Sequence, residues 1–354
     1  MKMTFEEALA AIQPTDPAVE EAAWVHWDSL AKPLRALGLL EQAVVRMASI
    51  QNTTNVRLGK KAVVAMCADN GVVEEGVTQT GQEVTAIVTE NMTHHDTTVC
   101  QMASVAHADV IPVDVGVCRP VEGPGLVQRC VRRSTRNMTK EPAMTREEAM
   151  QAIQAGIDVV CALKEKGYGL IATGEMGIGN TTTSSAIVSV LLDKDPAEVT
   201  GRGAGLSTEG LNRKVSAIET AIAKHHPDPK DPLDVLSKVG GLDIAGLVGV
   251  YLGCAANRIP VLVDGFISAA AALVAVRMCP AVNDYLMASH VSKEPAGQLM
   301  MDALGLKPFL HAEMCLGEGT GAVAAMPLLE MGLAVYHGMV SFEDTNIETY
   351  VPQD

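Results

Sequence analysis

The chain has 354 residues, 48% of them hydrophobic and only 3% aromatic, with a formal net charge of −15. This length and apolar content supply one large core or two unequal ones. The acidity weighs against nucleic acid and anionic membranes as partners, so an anionic ligand has to be held locally by backbone N–H groups and a few placed cations.

Residues 4–48 read as helical, with breaks near Pro14, Pro17 and Pro33. The opening MKMTFEEALAAIQ carries acids too early for a secretory leader. Five short apolar runs then read as strands, at 62–69, 109–116, 169–175, 259–265 and 284–290. Helical stretches such as 84–92 and 145–167 lie between them. Near-continuous apolar strands alternating with helices predict a Rossmann-like α/β fold, a parallel sheet with helices on both faces. After 293 the chain reads as helical again, through QLMMDALGL and AVAAMPLLEMGLAVYHGM. The chain ends are therefore expected to form a small helical bundle, 1–39 with 293–354, beside a large α/β domain at 40–292. The uncharged run at 244–257 is too short and glycine-rich to span a bilayer. The eight cysteines form no C-x-x-C pair and read as free thiols of a reducing cytoplasm. His94-His95 and His225-His226 read as solvated pairs, and no metal site is expected.

Ligands of open parallel sheets bind beyond the carboxyl ends of the strands. Asp69, Asp114, Glu175 and Asp264 all end predicted strands. Each alone has an ordinary reading as a cap or turn acid. Four together favour convergence on one crevice. GEMGIGNTTTSS (174–185) lies between a predicted strand and a predicted helix. Its glycines permit close backbone approach, and the helix start offers N–H groups to an anion. The order is G-x-x-G-x-G with no G-K-[ST], which argues against a P-loop nucleotidase. A dinucleotide fold stays open, with Asp193 and Asp195 near the distance of a ribose-binding acid. In CLGEGTGAVAAM (315–326), Glu318 sits between Gly317 and Gly319 ahead of an apolar helix. Partial desolvation there would raise its pKa and suit a general base. Lys214 and Lys238 are candidate cations, each with an ordinary surface reading as well.

Taken together, LAKPLRALGLLE, MCADNGVVEEGV, EVTAIVTENM, GEMGIGNTTTSSA, DPLDVLSKVGGLDIAGLVG, PVLVDGF, SHVS and LGEGTGAVAAM resemble, in order and spacing, the nicotinate-nucleotide–dimethylbenzimidazole phosphoribosyltransferase family. The match extends over nearly the whole chain. The resemblance implies transfer of 5-phosphoribose from nicotinate mononucleotide to 5,6-dimethylbenzimidazole, giving α-ribazole 5′-phosphate and nicotinate in cobalamin nucleotide-loop assembly. It implies Glu318 as general base, with Glu175 and Asp264 as carboxylates near the ribose and reacting centre. Gly177, Asn180, Thr181, Gly203, Lys214 and Ser292 carry over as the phosphoribosyl- and nicotinate-binding set. Thr80, Val88, Met176 and Leu316 carry over as the acceptor-base pocket. No cofactor or metal is implied, and the assembly the resemblance implies is a homodimer.

The chain departs from the family's usual pattern at Asn70 (commonly His), in Lys32–Gly38, across Thr78–Gly81 and at Val88 (glutamine in some members). The first two departures read as structural. The last two touch the acceptor pocket and leave other benzimidazoles, purines or phenols open as acceptors. A dinucleotide-dependent oxidoreductase remains as the rival enzyme class. A degenerate homologue acting only as a binding subunit is the non-enzyme rival, and retention of Glu175, Asp264 and Glu318 argues against it.

Overall fold

The structure, a computed structural model, describes residues 3–351. Met1 and Lys2 of the acidic opening, and the last three residues of the 293–354 segment, lie outside the described residues. Six strands form one sheet: β1 (Lys60–Ala68), β2 (Ala108–Gly116), β3 (Val127–Gln128), β4 (Tyr168–Met176), β5 (Val261–Val263) and β6 (Leu286–Ala288). Their order is β3-β2-β1-β4-β5-β6, and every neighbouring pair is parallel. Strand order therefore reverses between β1 and β4, where such sheets open a ligand crevice.

Three predicted strands agree with β1, β2 and β4 to within two residues. The runs at 259–265 and 284–290 shrink to three residues each, because their outer residues leave the ladder to build loops. The two-residue edge strand β3 had no apolar run to announce it.

The helix Arg146–Glu165 starts in a capping box, with Thr145 and Glu148 each accepting the other's backbone N–H. It packs on Leu242–Ala256, a helix with almost every residue buried. The contact requires glycine. A Cβ on Gly156 would stand 2.1 Å from the Gly246 carbonyl oxygen, and one on Gly249 would stand 1.9 Å from that of Ile153. The low aromatic content thus becomes close helix–helix approach.

Helices Pro17–Ser29, Leu39–Gln51 and Thr320–Gly338 form a layer on one sheet face. Their core is continuous with Val63, Ala65, Leu170 and Ala172. Trp27 and Tyr336 meet edge to face at 5.1 Å. Lys32 pairs with buried Glu41 at 2.6 Å and lies over the Trp27 ring, so the Lys32–Gly38 segment fixes this layer. The first helix, Phe5–Ala11, packs instead on the other face, against Leu242–Ala256 and Arg146–Glu165. All eight cysteines are free. No helix among the described residues is long and apolar enough to cross a membrane.

Candidate active site

At the carboxyl ends of β4 and β5 the loops enclose a cavity of about 660 Å³. All thirteen residues carried over by the resemblance line it: Glu318, Glu175, Asp264, Gly177, Asn180, Thr181, Gly203, Lys214, Ser292, Thr80, Val88, Met176 and Leu316.

Two of the four strand-end acids do not reach it. Asp69 turns back to accept the Cys118 N–H at 2.7 Å. Asp114 accepts the Val117 N–H at 2.9 Å and pairs with Arg133 at 2.8 Å. Both are wholly buried supports of the loops after β1 and β2. The expected convergence of four acids is corrected to two. Lys238 is likewise remote: it pairs with Asp234, one helical turn away, on the surface.

Glu175 is the penultimate residue of β4 and is 6% exposed. Asn180 donates one amide hydrogen to it and the other to Asp243, the latter at 3.0 Å. Burial pushes the Glu175 carboxyl up to about 8; the nearby charges of Asp243 and Asp264 add to the rise, and the Asn180 hydrogen bond opposes it. Burial also pushes Asp243 up, to about 6. Gly177 is obligatory at this point, since a Cβ would sit 2.5 Å from the Ala68 carbonyl oxygen and 2.4 Å from the Asp243 carboxylate.

Glu318 sits in a turn of three successive left-handed residues, with φ of 91° at Gly317, 61° at Glu318 and 96° at Gly319. A non-glycine residue there is strained, and such strain collects at functional sites. Two features hold the turn. Gly174 lets it approach, for a Cβ there would lie 2.4 Å from the Glu318 carbonyl oxygen. Asp264 accepts the Gly319 and Ala322 N–H groups at 3.2 and 2.9 Å, anchoring the start of the Thr320–Gly338 helix. The Glu318 carboxylate accepts the Val99 N–H at 3.2 Å. Burial raises its pKa, opposed by that hydrogen bond, and the Asp264 charge raises it further.

Lys214 is 1% exposed, and its ammonium donates to Thr181 Oγ1 at 2.8 Å and to the Gly201 carbonyl at 3.1 Å. Burial lowers it to about 8, and Glu294 opposes the fall. Gly203 runs over this corner: a Cβ there would be 3.2 Å from Thr181 Oγ1. The helix Asn180–Leu192 starts at Gly179 with no side-chain cap. The corner therefore combines a desolvated cation, a hydroxyl and a helix start, a set suited to an anion.

The far wall is less polar. Val88, Met176 and Leu316 line it with Thr80. Thr78 spends its hydroxyl hydrogen on the Thr80 carbonyl at 2.8 Å. Sequence reasoning missed Asp243, His290 and Glu294. His290 and Glu294 line the cavity, with His290 Nδ1 3.9 Å from Asp264. Asp243 is hidden by its own setting, since an acid opening a helix reads as a cap. Asn70 proves structural: it is wholly buried beside the glycine loop, with its amide directed at the Ile178 carbonyl.

The dinucleotide reading loses its basis here. In that fold the glycine turn follows the first strand, whereas this one follows β4, and β1 leads into Asp69-Asn70-Gly71. Asp193 and Asp195 are exposed at the far end of the Asn180–Leu192 helix, about 20 Å from its start.

A family model described as phosphoribosyltransferase matches residues 12–347. A nicotinate-nucleotide–dimethylbenzimidazole phosphoribosyltransferase of Ruminiclostridium cellulolyticum is 47% identical over 350 residues, covering 99% of each chain. One of the same name from Acetivibrio thermocellus is 50% identical over 326 residues, covering 92% of this chain and 93% of that one. The crystal structure of CobT from Thermus thermophilus superposes with a TM-score of 0.90 at 41% identity, covering 94% of this chain and 99% of that one.

Proposed function

The chain belongs to the nicotinate-nucleotide–dimethylbenzimidazole phosphoribosyltransferase family, and from that premise we infer that it transfers 5-phosphoribose from nicotinate mononucleotide to 5,6-dimethylbenzimidazole, in cobalamin biosynthesis. A ring nitrogen of the acceptor forms a bond to C1′ as the bond from C1′ to the nicotinate nitrogen breaks. Attack from the face opposite the leaving group gives the α-product. The leaving group is already a pyridinium, so it takes the bonding pair without needing a proton. The acceptor's N–H proton goes to a carboxylate.

We assign that carboxylate to Glu318. The observation that carries the assignment is its strained turn, which projects a half-buried carboxylate of raised pKa into the cavity. Asp264 holds the turn through two backbone amides and lends charge to the ribose side. Glu175, fixed by Asn180, holds its proton near neutrality in the free enzyme; we place it to give up that proton as the cationic nucleotide binds and so to face the positive charge at C1′ as a carboxylate. We place the 5′-phosphate at Lys214, Thr181 and Gly203, with Gly177 and Ser292 lining the path to the ribose and nicotinate. The acceptor lies against Val88, Met176, Leu316 and Thr80. None of these steps calls on a cofactor.

Incubating the purified protein with nicotinate mononucleotide and 5,6-dimethylbenzimidazole, with products identified by mass, tests the reading. Absence of both α-ribazole 5′-phosphate and nicotinate overturns it. Product with adenine or a phenol, but no benzimidazole, keeps the donor chemistry and overturns the acceptor.

The assembly we propose is a homodimer, each subunit divided into an α/β domain that Phe5–Ala11 joins and a helical layer of Pro17–Ser29, Leu39–Gln51 and Thr320–Gly338. The apolar side chains Val25, Met331 and Val340, exposed on or beside the helical layer, support it. A cytoplasmic location is proposed from the eight free thiols.

A further inference from the structure

Two loops from separate elements meet at the cavity mouth through one side chain. The first, Val77–Gly81, follows a short 3-10 helix at Gly71–Glu75. The second, Gly201–Leu206, precedes the helix Thr208–His225. Gln79 reaches from the first to the second. Its amide donates to the Ala204 carbonyl at 3.0 Å and to the Gly205 carbonyl. Both of its hydrogens are thereby spent across the gap. Arg213, on the Thr208–His225 helix, ties down the base of the first loop by donating to the Gly76 carbonyl at 3.2 Å.

Each loop leads into a different half of the cavity. On one side, Thr80 follows Gln79 directly and lines the acceptor wall. On the other, Gly203 precedes the contacted carbonyls and lies over Thr181 and Lys214. The second loop is a compact turn, with the Gly205 and Leu206 N–H groups both donating to the Arg202 carbonyl. Gly205 has a φ of 96°, and a Cβ there would stand 3.0 Å from the Gln79 amide nitrogen. Motion of Ala204–Gly205 therefore carries Gly203 with it.

We propose that Gln79 is a positioning residue that couples the two half-sites: by clamping the Gly201–Leu206 turn it holds Gly203 over the phosphate corner whenever the acceptor loop is in place. The proposal rests on the assignment of the Lys214 corner to phosphate and of the Thr80–Val88 wall to the base. Gln79 itself is exposed at the rim of the cavity, which it lines beside Thr80, and its amide hydrogens are turned to the neighbouring turn.

Two measurements on the full-length protein test it, comparing wild type with Gln79→Ala and Gln79→Glu. The first is amide hydrogen exchange without ligand. Both variants should exchange at least about threefold faster at Gly205 and Leu206, and unchanged exchange overturns the clamp. The second is steady-state kinetics. A residue serving only the acceptor loop would raise KM for the base alone. The clamp predicts that KM for nicotinate mononucleotide rises about fivefold, the cost of a lost hydrogen bond, with kcat within about twofold. A rise confined to the base overturns the coupling. If wild type turns over no base at all, the proposed function falls. The exchange measurement then decides the clamp alone, faster exchange upholding it and unchanged exchange overturning it.

Discussion

Replacing Glu318 by Gln isolates proton acceptance from every other duty of that position. The amide has the same size, and its carbonyl oxygen can still accept the Val99 N–H that the carboxylate accepts at 3.2 Å. The left-handed backbone strains Glu and Gln alike. Removing a half-buried charge near Asp264 also relieves repulsion, so the variant should melt no lower than wild type. What disappears is the site for the acceptor's proton. A positioned base contributes about 10²- to 10⁴-fold, so kcat should fall by at least about 10², or about 2.7 kcal/mol in the barrier. The wild-type rate should also fall on acidification through the raised Glu318 pKa, and that limb should vanish in the variant. Initial rates of α-ribazole 5′-phosphate formation across the neutral range, with calorimetric nucleotide binding alongside, measure both. A folded variant that binds nucleotide normally and keeps more than about a tenth of wild-type kcat refutes the assignment.

Glu175 gives a test of opposite sign in stability. Its folded pKa is about 8, against the ordinary 4.5. The native state therefore holds a proton that the unfolded chain has lost, and stability should decline between those two pH values. Glu175→Gln should flatten that decline and raise the melting temperature at alkaline pH while cutting turnover; a variant less stable than wild type there would contradict it. Lys214→Met should weaken nicotinate mononucleotide binding at least about tenfold by calorimetry and leave nicotinate riboside, which lacks the phosphate, nearly unaffected. Wild-type nucleotide affinity should fall as pH rises past the Lys214 value of about 8, and a pH-independent affinity would count against the phosphate corner. In competition between equimolar bases, 5,6-dimethylbenzimidazole should lead its relatives only modestly. Val88 offers no polar contact, and a methyl group in an apolar pocket discriminates by about 1–3 kcal/mol; a preference above about 10³-fold would refute the loose pocket.

The parallel sheet was legible because β1, most of β4 and the second half of β2 are buried, and so read as near-continuous apolar runs. β5 and β6 were found but overextended, since the expected runs took in the flanking Asp264 and Gly265, and Asp284, Ser289 and His290, which belong to turns and loops. Strand order was not legible. It depends on which helices cross which face, and on contacts such as Gly156 against Gly246 that pair residues far apart in sequence. The glycine loop and the Glu318 turn were legible for the opposite reason, being local chemistry written in consecutive residues.

The four strand-end acids show where local reading stops. Nothing adjacent in sequence separates Asp69 and Asp114 from Glu175 and Asp264. The difference lies in where the chain goes next. After β1 and β2 the loops fold back over the strand ends, and their amides claim the carboxylates. After β4 the glycine loop rests on the end of β1, with Gly177 against the Ala68 carbonyl and the Ile178 carbonyl accepting from Asn70, and the crevice opens on its other side, toward β5. Even there the two acids differ. Asp264 is taken by amides of the distant Thr320–Gly338 helix, and so governs the geometry of Glu318. Glu175 is met by the Asn180 side chain, shared with Asp243, and by one backbone amide, that of Glu318. A carboxylate bound by two backbone amides is fixed as a support, whereas one sharing a donor with a second acid keeps capacity to answer positive charge. On that argument we propose that Asp264 positions the base, and that Glu175, protonated in the free enzyme, ionises to meet the charge as C1′ becomes cationic.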